Sequence, residues 1–350
     1  MNKKVCLVSD IHFGVNKNSE LFLNSSIRFF RDQLVPYLEK EEITHILVLG
    51  DVFDNRNSIN VRISDEVHRV FGEILGDFDV TILIGNHDIY YKTSNNVHSL
   101  KFLDLLPNVE VIDQLCYKEI FGIKTMFCPW IFDYNDPHIA EMFETTESDV
   151  LFGHFDIIGF ALNRTRVSTE GLQPESFSKF KKVFSGHYHT PSSKRIGKTE
   201  IAYIGSPYQM TRNDRNEPKG VIILNLETLR YKRVLNETSI EFFEVEYPEI
   251  PNKEDVEGNI VDAVITIDKK DIIGNVIDKY VEKIEKMNPV EKVNVVMNVI
   301  SENSSDFDEL KHGKMNSIPD LIELYINNDN EIDNKEIVLN TIMEIYEEVN

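Results

Sequence analysis

Three times near its start, this chain runs a short apolar segment straight into a small polar cluster. Val5–Val8 ends at Ser9-Asp10, His45–Leu49 at Gly50-Asp51, and Val80–Ile84 at Gly85-Asn86. Apolar runs this short, bounded by turn residues, suit buried strands rather than helices. Helical stretches fall between them, roughly Ser19 to Lys40 and Val61 to Leu75. The order is β-α-β-α-β, and right-handed crossovers make such a series a parallel sheet. In open α/β sheets ligands bind at the carboxyl ends of the strands. The polar clusters are therefore expected to meet at one sheet edge, although they are far apart in sequence.

Shorter apolar runs follow at Val109–Ile112, Gly122–Pro129, Val150–Phe152, Lys182–Phe184, Ile201–Ile204 and Gly220–Leu224. They read as a second, β-rich half. Two of them lead into Gly-His pairs, Gly153-His154 and Gly186-His187. The expected fold class is α/β, two packed sheets flanked by helices, with the site at their shared edge. Beyond residue 247 the pattern changes. Val264–Ile267, a helix over Asp271–Lys286, and Val293–Ile300 form a small α+β unit. A polar stretch, Ser301–Ser317, precedes two short amphipathic helices near Ile318–Ile326 and Asn334–Val349. The expected divisions are 1–247, 248–300, a linker at 301–316, and a helical pair at 317–350.

Charge bears on partners. The net charge of −22 on 350 residues lacks the basic footprint usual for nucleic-acid binding. The acid is concentrated at the end, however: residues 251–350 hold 10 Lys and Arg against 23 Asp and Glu. Upstream, bound cations could balance some carboxylates. Cys6, Cys116 and Cys128 form no C-x-x-C pair, so neither a disulfide framework nor a cysteine zinc site is expected. No apolar run approaches the ~18 residues that span a bilayer, and none resembles a secretory leader. A cytoplasmic protein without a membrane partner is the expectation.

The chemistry lies in D-x-H at Asp10/His12, G-D-x-x-D at Gly50–Asp54, G-N-H-D at Gly85–Asp88, G-H at Gly153/His154 and G-H-x-H at Gly186–His189. Singly, each has an ordinary explanation as a turn or a loop start. Together, in this order and each after an apolar run, they point to one site. Imidazole and carboxylate ligands without sulfur suit first-row cations. Two such cations ~3.5–4 Å apart can clamp a phosphate, activate water and stabilise a leaving oxygen.

With these motifs the sequence resembles the calcineurin-like metallophosphoesterases. The resemblance implies a two-sheet sandwich and two divalent cations, manganese first and magnesium as the alternative. It also implies ligands: Asp10, His12, Asp51 and His189 for one cation, and Asp51, Asn86, His154 and His187 for the other, with Asp51 bridging. His87 would stay unligated as general acid or transition-state stabiliser, and Asp88 would support it. Some relatives carry His where Asp54 stands.

Within that superfamily, VSDIHFG (Val8–Gly14), LGDVFDNR (Leu49–Arg56), IGNHDIYY (Ile84–Tyr91), FGHFDIIG (Phe152–Gly159), SGHYHTP (Ser185–Pro191) and YIGSPYQMTRND (Tyr203–Asp214) are similar to the SbcD-type recombination nucleases, most of all those of T-even and related bacteriophages. That resemblance covers about residues 1–230, and beyond them only the order of elements: a capping domain, a linker and a C-terminal helical pair. It implies a DNA exo- or endonuclease acting on double- and single-stranded DNA in recombination, repair and replication. It further implies a homodimer bound to an SbcC-like coiled-coil ATPase of the ABC type. Apolar Leu321, Leu324, Ile342 and Ile345 are the candidate ATPase contacts, since so short a helical pair can barely bury its apolar face alone. Arg56, Arg62, Arg164, Arg166, Arg195, Arg212 and Arg215, with Lys194, are the candidate DNA contacts. The competing expectations are a stand-alone metallophosphatase or cyclic-nucleotide phosphodiesterase, and a catalytically dead scaffold. The latter is disfavoured because no ligand is missing.

Overall fold

The computed structural model describes residues 3–162, 166–268 and 276–300, together with Lys335, Val338, Leu339 and Ile342 at helical positions. The chain divides into two compact units, 1–264 with 277–296, and 265–276 with 297–350. The first unit holds every element that positions the site.

Its first sheet contains β1 (Lys4–Val8), β2 (His45–Val48), β3 (Asp79–Leu83) and β4 (Val109–Ile112), all parallel. The second contains β5 (Cys116–Ile120), β6 (Ile123–Cys128), β7 (Val150–His154), β8 (Lys182–Gly186), β9 (Ser192–Ile196) and β10 (Thr199–Tyr203). In it β6, β7, β8 and β10 run parallel, and antiparallel β5 and β9 close its edges. The first sheet is completed by β11 (Gly220–Asn225), antiparallel to β1, and by β12 (Tyr231–Leu235), antiparallel to β11.

The alternation along β1 shows how the layers form. Val5 and Leu7 pack with Leu47, Phe127, Phe152 and Phe184 between the two sheets. Cys6 and Val8 point the other way, onto Leu23, Ile27, Phe30 and Phe71 of the covering helices. A strand buried on both faces reads as an unbroken apolar run, as these do. The first helical stretch runs through Glu20–Arg28, a π-helical segment Phe29–Leu34 and Val35–Lys40. The second comprises Val61–Arg69 and the π-helical Val70–Ile74.

Two expectations are corrected. Val109–Ile112 and Gly220–Leu224 do not belong to the second half; they join the first sheet as β4 and β11. Strand β1 has β2 on one side only, so its other edge is open. Gly220–Asn225 returns to fill it, pairing Lys4 with Asn225 and Leu7 with Ile222. Sequence order cannot reveal that return. Strands β5, β9 and β12 were not read as strands at all, because they lie at sheet edges and carry polar residues.

Downstream, β13 (Phe242–Glu246) pairs in parallel with the start of β14 (Ile260–Asp268), Phe242 opposite Ile260. A helix, Val276–Glu285, and a strand, Asn294–Ile300, follow. The expected linker 301–316 lies outside the described residues, and of the candidate partner contacts Leu321, Leu324 and Ile345 do too. Ile342 occupies a helical position. Among the described residues no helix is long and apolar enough to cross a membrane.

Candidate metal centre

The carboxyl ends of β1, β2 and β3 converge with those of β7 and β8, and all the motif residues meet there. Asp10 and His12 follow β1, Asp51 follows β2, Asn86 follows β3, His154 ends β7, and His187 and His189 follow β8. Asp10, His12, Asp51 and His187 all have left-handed backbone, with φ of 52, 49, 53 and 92°. That conformation strains non-glycine residues, and such strain gathers where function over-determines the geometry.

The glycines explain the closeness of approach. A Cβ on Gly186 would lie 1.9 Å from Ser9 Oγ and 2.3 Å from the Leu49 carbonyl oxygen. One on Gly85 would lie 2.2 Å from Asp51 Oδ1. The strand ends can touch only because those positions carry no side chain.

Potential ligand atoms form two groups, Asp10/His12/His189 and Asp51/His154/His187, each within 4.8 Å; His12, Asp54 and His87 form a third. Asp51 Oδ2 lies between the first two, 3.6 Å from His12 Nε2 and 3.3 Å from His154 Nε2. Its Oδ1 accepts the backbone N–H of His87 at 2.8 Å.

The donor set fits cations. His154 Nδ1 lies 2.6 Å from the Leu49 carbonyl oxygen, which only accepts, so a neutral ring donates there. Its Nε2 lone pair then faces Asn86 Oδ1 at 3.0 Å, another acceptor. His187 repeats the pattern: Nε2 lies 2.8 Å from Asp156 Oδ1, and Nδ1 faces Asn86 Oδ1 at 2.8 Å. In the first group, His189 Nε2 and His12 Nε2 face each other at 3.0 Å. Asp10 Oδ2 is buried without a partner. Acceptors and ring nitrogens turned toward one another at a buried site call for a proton or a cation between them, and neutral imidazole with carboxylate is a donor set for a first-row cation.

Without a cation, a proton answers the same demand for positive charge. Burial pulls the His154 imidazole down, but the Asp51 carboxylate beside it outweighs burial and lifts it to about 9. Against the same burial, His154 holds the Asp51 carboxyl well below the usual range. His189 is pushed down to about 4 by burial and by neighbouring His12.

His87 stands at the edge of the centre, half-buried, its ring 4.7 Å from that of His12. Its Nδ1 lies 2.6 Å from the Asp54 carbonyl oxygen and donates to it. Nε2 is thus the nitrogen left to exchange a proton. Burial lowers its pKa. Asp88, expected to support His87, is turned elsewhere. Its carboxylate accepts backbone N–H groups of Asp51 at 2.9 Å, Val52 at 3.0 Å, Phe53 at 3.2 Å and Gly85 at 3.0 Å. A buried carboxylate needs donors, and these unpaired loop N–H groups supply them. Asp88 therefore fastens the loop after β2 to the loop after β3.

The basic residues separate. Arg212 Nε donates to both oxygens of Asp262, at 3.0 and 2.8 Å, and Arg215 Nη2 to Asp262 Oδ2 at 2.8 Å. Arg215 also contacts Glu244. Asp262 is 1% exposed, and a carboxylate so buried must be paired. These two guanidinium groups are thus committed within the chain. Arg62 pairs with Glu20, and Lys194 contacts the Gly159 carbonyl. Arg56 is half-buried, Arg166 and Arg195 are exposed, and Arg164 lies outside the described residues.

Sequence reasoning missed several residues around the centre. Trp130 sits with its ring 5.0 Å from His187 and 6.0 Å from His154. Buried Lys219 donates to the His189 carbonyl at 2.8 Å and to Asp214 at 2.7 Å. Asp156 accepts from His187, Tyr188 and Tyr134. A lone tryptophan after β6 and an Asp two residues past a motif His were the available signals.

Residues 4–229 match the family model described as the calcineurin-like phosphoesterase superfamily domain. Exonuclease subunit 1 of Enterobacteria phage T4 is 29% identical over 331 residues, 93% of this chain and 92% of the relative. Putative phosphoesterase 078R of Invertebrate iridescent virus 3 is 24% identical over 213 residues, 59% of this chain and 57% of the relative. Among solved structures, a novel archaeal phosphodiesterase superposes with a TM-score of 0.37 at 12% identity, covering 66% of this chain and 99% of its own. GAP50, the anchor in the inner membrane complex of Plasmodium, gives 0.41 at 12% identity, over 67% and 89%.

Proposed function

The chain belongs to the calcineurin-like phosphoesterase superfamily, and on that premise we propose that it is the nuclease subunit of a DNA-processing complex of the SbcC–SbcD type. The observation that carries the proposal is the position of Asp51 Oδ2 between His12 Nε2 and His154 Nε2, one carboxylate shared by two ligand groups. The relative matched along nearly the whole chain is an exonuclease subunit, which supports DNA as substrate and a second subunit as partner.

Asp10, His12, Asp51 and His189 would hold one divalent cation, and Asp51, Asn86, His154 and His187 the other. Bound there, the pair supplies Lewis-acid charge to a phosphodiester and its attacking water. The chain's own residues do the rest. Asp51 fixes the separation of the two groups. Asp88 holds the two loops that carry Asp51 and Asn86. His87, anchored through Nδ1, would take up a proton to become imidazolium and give it from Nε2 to the leaving oxygen, a contribution of typically ~10²–10⁴ in rate. Manganese is the proposed metal.

DNA would follow basic side chains outside the centre. Arg56, two residues beyond the Asp54 that anchors His87, leads this set, with Arg164, Arg166 and Arg195. Residues 317–350 would bind a coiled-coil ATPase through Leu321, Leu324, Ile342 and Ile345, and two nuclease subunits would pair. The protein would work in the cytoplasm, on DNA ends in recombination and repair.

The test is hydrolysis of linear duplex DNA, single-stranded DNA and p-nitrophenyl phosphate esters, each with manganese, magnesium or chelator. Metal-dependent cleavage of DNA is expected. Turnover of the small esters alone would replace the nuclease with a phosphatase, and no turnover in any metal would leave a scaffold.

A further inference from the structure

Beside the second ligand group stands a carboxylate that belongs to none of the three ligand groups. Asp156 lies two residues past His154, on the loop leaving β7. Its Oδ1 is 2.8 Å from His187 Nε2 and 2.9 Å from the Tyr188 hydroxyl, and its Oδ2 accepts from the Tyr134 hydroxyl at 2.5 Å. Three donors from two chain segments converge on it, and together they fix the orientation of the carboxylate.

A neutral imidazole carries one N–H. A carboxylate at Nε2 draws that proton to Nε2, and the Nδ1 lone pair is then obliged to point at Asn86 Oδ1, 2.8 Å away. The ring itself is held between Trp130 and Tyr188, each with its centroid 5.0 Å off. His154 is oriented differently: its Nδ1 faces the Leu49 carbonyl, a neutral acceptor. One imidazole of the group is thus held by a peptide oxygen and the other by an anion. An anionic partner also makes the inward nitrogen a stronger donor, as carboxylate–histidine pairs do at metal sites.

We propose that Asp156 is a positioning residue for cation binding, fixing His187 in the Nε2-protonated tautomer so that Nδ1 serves as the ligand atom. It acts on the Asp51/Asn86/His154/His187 group alone; Asp10, His12 and His189 do not touch it. The proposal rests on the two-cation reading of the centre, and the experiment separates the two.

Manganese uptake is measured by equilibrium dialysis on the wild-type chain, Asp156→Asn and Tyr134→Phe, with folding followed by circular dichroism. The wild type should take up two equivalents. Asp156→Asn should weaken one of them about 10–100-fold and spare the other. Tyr134→Phe removes a hydrogen bond from the same carboxylate without touching His187, so it should lower stability and leave both affinities unchanged. A purely structural hub would make the two variants alike. Independently, ¹⁵N spectra of the metal-free wild type should show His187 protonated at Nε2. Wild-type affinities in Asp156→Asn, or a proton on His187 Nδ1, would overturn the proposal. A wild-type chain that takes up only one equivalent overturns the two-cation reading, while the tautomer still decides the role of Asp156, even if Asp156→Asn does not fold.

Discussion

Gly85→Ala perturbs the centre without removing any ligand. The added Cβ would sit 2.2 Å from Asp51 Oδ1, 2.4 Å from Asp51 N and 2.9 Å from Asp51 Cγ. Gly85 is not among the residues of positive φ, so the backbone accepts alanine and the effect is steric. Ordinary contact begins near 3.4 Å, so both the Asp51 carboxylate and the Asp51 backbone must retreat by about 1 Å. Such overpacking costs about 1–3 kcal/mol. The hydrogen bonds from Asp51 N and Gly85 N to Asp88, at 2.9 and 3.0 Å, lie in the path of the shift. Each contributes about 0.5–1.5 kcal/mol. A total loss of about 2–6 kcal/mol is expected in chelator-treated protein, read from urea unfolding. Because Asp51 Oδ2 serves both groups, both manganese equivalents should weaken by about tenfold or more, which is about 1.4 kcal/mol each. Loss of one equivalent alone would show that Asp51 is not shared. Wild-type stability and affinity together would refute the steric argument itself.

Asp51→Ala should weaken both manganese equivalents in dialysis more than any other ligand change does, because it removes the one carboxylate that faces both groups. His87→Ala should keep both equivalents but lose ~10²–10⁴ in DNA cleavage rate, and a drop in metal content would place His87 among the ligands. Removing divalent cations should lower the melting temperature, with manganese at ~100 times its dissociation constant restoring about 2.7 kcal/mol per site; calorimetry at several manganese concentrations tests this. Deleting residues 317–350 should abolish ATPase binding in a pull-down while leaving manganese uptake intact, and retained binding would assign that contact elsewhere.

Much of the site was legible because its rule is local. Asp10, Asp51, Asn86, His154 and His187 each follow an apolar strand, and parallel strands deliver their ends to one edge. What stayed hidden depends on long-range return or on where a side chain turns. β11 reaches β1 from more than two hundred residues away, and no local signal marks its partner. Asp88 is adjacent to His87 in sequence, yet its carboxylate faces four backbone N–H groups. Arg212 and Arg215 look like phosphate binders in a loop after the metal motifs. Buried Asp262, about fifty residues on, claims them both.

The centre also belongs to neither sheet alone. Asp10, Asp51 and Asn86 come from the first sheet, and His154 and His187 from the second. Two links between the sheets at this edge run through candidate ligands, His154 Nδ1 to the Leu49 carbonyl and the His187 N–H to Asp10 Oδ1 at 2.9 Å, beside a backbone bond from the Trp130 N–H to the Ile84 carbonyl at 2.9 Å. Gly186 lets β8 close onto Ser9 and Leu49. Closing the sandwich therefore brings two acidic residues and several lone pairs into a buried space, a cost that hydrophobic packing deeper between the sheets must offset. Cations bound there would remove that cost, so metal binding and the closure of this edge are one equilibrium. A ligand set split between two sheets would make the cation a fastener of the fold as well as its reagent.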